Sequence, residues 1–202
     1  MGTPEFAVAS LRALVENAFR IVAVVTAPDK PAGRGLQLTE SAVKKYATEK
    51  NIPVLQPVKL KDPLFHEELK SFLADIQVVV AFRMLPEIIW GMPAFGTINL
   101  HGSLLPQYRG AAPINRVVMN GELKTGVTTF KLQQEIDTGN ILLMEEISIG
   151  PEETAGELHD RMKEIGAGLV VKTIRGLMDE TLQEKPQQVA DPASLKMAPP
   201  PK

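Results

Sequence analysis

The chain has 202 residues, of which 44% are hydrophobic and 23% charged, enough apolar material to bury a core without staples. It has no cysteine, which excludes disulfides, thiolate metal sites and a cysteine nucleophile, and its formal net charge of −2 gives no global attraction to nucleic acid. No apolar run approaches the ~20 residues of a membrane span, and Glu5 and Arg12 interrupt any N-terminal signal-peptide character, so a cytoplasmic protein with no membrane partner is expected.

In chain order, "MGTPEF" reads as a turn feeding a helix over 6–18. In a βαβ unit a strand precedes such a turn, so the expectation is a chain that lacks its first strand. "IVAVVT" (21–26) and "IQVVVAF" (76–82) are near-continuous β-branched runs, the pattern of strands buried on both faces. "PVLQ" (53–56) and "GTINLH" (96–101) are shorter strand candidates. Helices are expected over 41–50 and 62–74, the second with Pro63 in its first turn. From 124 the pattern changes. "TGVTTFKL" and "NILLMEEISI" predict two antiparallel strands around the loop "QQEIDTG", and a long helix follows over 154–177, with Thr154 as N-cap and Glu157 three residues on. Residues 181–202, with Pro186, Pro192 and Pro199–Pro201, read as a linker or tail. The alternation of strands and helices implies an α/β fold: a Rossmann-like open, mostly parallel sheet flanked by helices, with an antiparallel edge pair.

One stretch concentrates chemistry: "GTINLHGSLLPQYRGAAP", 96–113. Ligands of open α/β sheets bind beyond the carboxyl ends of the strands, and Asn99 and His101 stand at such an end. Their i, i+2 spacing puts both on one face of an extended strand. An amide that cannot titrate and an imidazole that can donate or accept a proton suit the stabilisation of a developing oxyanion. Asp137, in the glycine-containing loop "EIDTG", is placed to orient the histidine. The three together make an acyl-transfer set whose nucleophile comes from a substrate. The ordinary readings stand beside this one: a structural histidine at a strand end, and an Asp-Thr-Gly turn in which Asp caps backbone. His66, His101 and His159 are far apart and no HExxH occurs, so no metal is expected.

"NLHGSLLPQYRGAAPI" resembles the signature of the 10-formyltetrahydrofolate-dependent formyltransferases, which act on methionyl-tRNA, glycinamide ribonucleotide or amino sugars. "MGTPEFAV" (1–8), "PDKPAGRG" (28–35) and "TGVTTFKLQQEIDTGNIL" (125–142) resemble the methionyl-tRNA branch in particular. The resemblance implies a catalytic domain over 1–180, with 181–202 leading towards a C-terminal barrel that is absent. It implies a catalytic trio of Asn99, His101 and Asp137 that moves the formyl group of 10-formyltetrahydrofolate to the methionine amine of initiator Met-tRNA, in a monomer and without a metal. It places the folate against Ser103, Leu104, Leu105 and Pro106, with Phe82, Met84, Leu85, Glu135 and Ile136 about the pterin, and the tRNA against Lys30 and Arg34. Arg83 stands where the family carries a glycine, and Ala42 where it carries a proline. Two alternatives stay open: a formyltransferase acting on a nucleotide or amino sugar, and a folate-binding fragment without turnover.

Overall fold

The computed structural model describes residues 1–32, 37–189 and 191–199. They form two compact units, 1–97 and 98–202. The first carries α1 (Glu5–Glu16), β1 (Val24–Val25), β2 (Lys30–Ala32), β3 (Gln37–Thr39), α2 (Ala42–Glu49), β4 (Val54–Leu55), α3 (Pro63–Ser71), β5 (Gln77–Val80) and α4 (Glu87–Trp90). The expected helices are present, and Ser41 and Asp62 cap α2 and α3 through their side-chain oxygens. β1 and β5 are shorter than the apolar runs that announced them, 21–26 and 76–82. β1 pairs in parallel with β4, and β4 is bracketed by Pro53 and Pro57, which have no N–H to give a ladder. The rest of the 21–26 run therefore contributes apolar surface rather than strand. The "MGTPEF" segment is extended at its start: Gly2 N donates to Val25 O at 3.0 Å and Val80 N donates to Met1 O at 2.9 Å. β2 and β3 form an antiparallel pair within the stretch read as a loop.

The second unit begins within β6 (Thr97–His101) and continues through β7 (Arg109–Gly110), α5 (Pro113–Met119), β8 (Lys124–Lys131), β9 (Ile141–Ser148), α6 (Ala155–Met178), a 3-10 turn (Pro192–Ser194) and β10 (Met197–Ala198). β6, β8 and β9 are adjacent and antiparallel, so the antiparallel part is three strands wide where two were expected. The 24-residue α6 lies on β8 and β9 and buries Leu158, Met162, Val170 and Ile174. It starts with the expected capping box: Glu157 N donates to Thr154 Oγ1, and Thr154 N donates to the Glu157 carboxylate at 2.9 Å. That backbone N–H holds the Glu157 carboxyl below its usual range. Between β8 and α6 one buried polar pair is satisfied internally, with Thr129 Oγ1 and Thr173 Oγ1 2.7 Å apart.

The tail is the largest departure. Lys185 exchanges backbone hydrogen bonds with Ile141, β10 pairs in parallel with β7, and Ala198 is fully buried. Pro186, Pro192 and Pro199 stand outside the paired positions, so a proline-rich composition coexists with docking.

Candidate active site

β6 is held in register by β8, with Asn99 opposite Phe130 and His101 opposite Thr128. That pairing fixes the two side chains on one face. His101 is buried, and its Nε2 lies 2.8 Å from Tyr108 O. A carbonyl can only accept, so Nε2 carries the hydrogen in this contact. The other ring nitrogen, Nδ1, lies 3.6 Å from Asp137 Oδ2, and a proton on Nδ1 meets a carboxylate. The side-chain oxygen of Asn99 is buried and has no hydrogen-bond partner among the described residues, a state that costs free energy unless a ligand or water completes it.

Asp137 reaches this place by an unusual backbone. It sits in the β8–β9 loop at φ +53, the left-handed region that Asp tolerates better than most residues. Gly139 makes the loop possible, because a Cβ there would stand 1.7 Å from Lys131 O. The Asp137 carboxylate is nine-tenths buried and accepts Gly110 N–H at 2.8 Å. A buried carboxylate with a backbone donor on one oxygen and an imidazole nearby is fixed in direction.

Ser103 and Leu105 are spent inside the turn. Ser103 Oγ donates to Gln107 O at 2.6 Å, and the buried Leu105 donates its N–H to Thr128 Oγ1. The Leu105–Pro106 bond is cis. Leu104 and Pro106 are half-buried, while Glu135 and the apolar Ile136 are exposed. In the first unit Leu85 is core, Met84 is exposed, and Phe82 is covered by the Arg83 guanidinium 5.2 Å from its ring centre. Arg83 is itself anchored on the Pro57 and Val58 carbonyls. Lys30 is exposed on β2. Arg34 lies outside the described residues. The base of its loop is pinned by Asp29, which takes Lys44 Nζ and Gln56 Nε2 on its two oxygens, and the Lys44 ammonium holds the Asp29 carboxyl below its usual range. Two contributors to the site carry no sequence signal of their own. Tyr108 O acts through its backbone, and Gln187 Nε2 donates to Asp137 O at 2.8 Å and Gly139 O at 2.9 Å.

Compared with known proteins, residues 1–174 match the family model described as formyl transferase. The chain belongs to that family. It is 51% identical over 200 residues to a methionyl-tRNA formyltransferase of Bacteroides thetaiotaomicron, a match covering 98% of this chain and 62% of the relative. The chain thus spans about three fifths of that relative's length. Among solved structures it superposes on the phosphoribosylglycinamide formyltransferase of Bacillus halodurans with a TM-score of 0.72 at 23% identity, over 89% of this chain and 92% of the other. A sugar 3N-formyl transferase, solved in the presence of dTDP and 5-N-formyl-THF, superposes with a TM-score of 0.71 at 22% identity, over 97% and 67%. These likenesses establish the Rossmann-like α/β fold of the family.

Proposed function

We propose that the chain transfers the formyl group of 10-formyltetrahydrofolate to the α-amine of methionine on initiator tRNA, as a monomer in the cytoplasm. The observation that carries this reading is the meeting of His101 with Asp137 across 35 intervening positions of chain, two residues along the strand from an amide oxygen without a partner among the described residues. The identity to a methionyl-tRNA formyltransferase supports the choice of acceptor. In this reading the neutral amine attacks the formyl carbon, and the carbonyl oxygen becomes an oxyanion. Asn99 Nδ2 and the His101 Nε2–H donate to it, the ring exchanging Tyr108 O for the substrate oxygen. The bond from the formyl carbon to N10 then breaks. The proton lost by the amine passes to N10, with Asp137 holding the imidazole while it carries charge.

The folate is a co-substrate of this reaction, and the second unit has features that suit it. A pterin is flat, with an amide-like edge. Exposed Ile136 and the half-buried Leu104 and Pro106 offer apolar surface, and the backbone near Glu135 offers donors and acceptors. Lys30 and Arg34 would meet tRNA phosphates. The test is formyl transfer by the purified chain from 10-formyltetrahydrofolate to three acceptors: Met-tRNA, glycinamide ribonucleotide and a nucleotide-linked amino sugar. Formylmethionyl-tRNA as the dominant product is expected. Preferential formylation of another acceptor, or folate binding without any transfer, overturns the reading.

A further inference from the structure

Residues 185–189 and 191–198 lie along the site rather than away from it. We propose that these residues form a strap that sets the geometry of the Asp137–His101 pair, with Gln187 as the positioning residue, an inference that rests on the function proposed above. β7 is the strip through which the strap acts, and its backbone groups alternate between two sides. Tyr108 N donates to Lys196 O at 2.6 Å and Ala111 N donates to Ala198 O at 2.7 Å, both towards the strap. Between them Gly110 N donates to the Asp137 carboxylate, and Tyr108 O accepts the His101 ring. Moving the strap therefore moves both groups that hold the catalytic pair. The contact is close. Gly110 has φ +121, and a Cβ there would stand 2.3 Å from Ala198 O, so only glycine lets the two chains approach.

Gln187 closes the arrangement from the other end. Its Nε2 donates to Asp137 O and Gly139 O, the carbonyls at either end of the left-handed turn. Its Oε1 accepts Arg109 Nε at 3.1 Å and Nη2 at 2.6 Å. One side chain thus ties β7 to the loop that carries Asp137 and uses all of its hydrogen-bonding directions inward. A strained backbone position persists only where its surroundings over-determine it, and these two amide donors do so for Asp137. The far end of the strap is fastened by Lys196 Nζ, 2.5 Å from Glu122 Oε1, with the Tyr108 hydroxyl also donating to Glu122.

The test uses the full chain with Gln187→Ala and Gln187→Glu. The glutamate keeps the acceptor for Arg109 but has no hydrogen to give the two carbonyls. Both variants are expected to lower kcat roughly ten- to a hundredfold, the usual effect of small misplacement of a catalytic group, with KM for the formyl donor unchanged. Hydrogen exchange of the Gly110 amide should accelerate in both while α6 amides keep their protection. Unchanged Gly110 protection in both variants overturns the strap, whatever the rates. A loss of protection shared equally by α6 also overturns it, because that marks general unfolding. If the wild-type chain transfers no formyl group, the functional reading fails, and the exchange of Gly110 still decides whether the strap positions Asp137.

Discussion

His101 has Nε2 on the Tyr108 carbonyl at 2.8 Å and Nδ1 3.6 Å from the Asp137 carboxylate. In the proposed reaction the Asp137 side stays in place while Nε2 exchanges the Tyr108 carbonyl for the substrate oxygen. His101→Ala is expected to abolish transfer while the folate still binds, measured as single-turnover formylation beside equilibrium binding of the donor. Near-normal turnover would count against the assignment. Asn99→Ala removes one oxyanion donor and should lower kcat about 100- to 1,000-fold with little change in KM. The shared strand face of Asn99 and His101 was legible from their i, i+2 spacing and is observed, whereas no spacing fixed the approach of Asp137 to His101, 3.6 Å in the structure, which the family resemblance implied. Tyr108 and Gln187 were not legible. One acts through a carbonyl, which any residue supplies. The other is one of two adjacent glutamines, Gln187 and Gln188, in proline-rich sequence, where no periodicity marks which of them makes a contact. Ser103 and Leu105, which the resemblance set against the folate, also hold the turn: the Ser103 hydroxyl and the Leu105 N–H are both hydrogen-bonded within the protein.

α6 was readable almost to its ends because Thr154 and Glu157 write a reciprocal cap into the sequence. Thr154→Ala should cost about 1 kcal/mol of stability, visible as a lower urea midpoint with unchanged m-value. Strands fared worse, since a strand is defined by its partner. β1 stops where β4 runs into proline, and β10 exists because β7 offers an open edge. α5 was missed because Pro113 and the small residues before it look like loop. The fastening of β10 also has a pH dependence. The Lys196 ammonium, with the Tyr108 hydroxyl, holds the Glu122 carboxyl below its usual range. A lowered folded value means that the stabilisation is complete above the ordinary glutamate range and is lost as pH falls through the lowered value. The protection factor of the Tyr108 amide, its exchange rate compared with the intrinsic rate at each pH, should therefore be constant from neutral pH down to that range and fall below it. In Glu122→Gln the acid step should disappear.

At the scale of the whole molecule, alternating apolar runs and amphipathic segments pointed to an α/β fold, and the chain belongs to a family with that architecture. The division into units at 97/98 was not legible, because it falls inside a strand whose residue pattern is continuous. No helix among the described residues is long and apolar enough to cross a membrane. In the proposed reaction the amide and imidazole of β6 and the carboxylate of the β8–β9 loop serve one formyl carbon. The most direct measurement is a crystal structure of the chain with 5-formyltetrahydrofolate. The formyl oxygen is expected within hydrogen-bonding distance of Asn99 Nδ2, with His101 beside it and Asp137 still bound to Gly110 N–H. A formyl group seated away from these side chains, with the folate held elsewhere on the molecule, would contradict the proposed reaction.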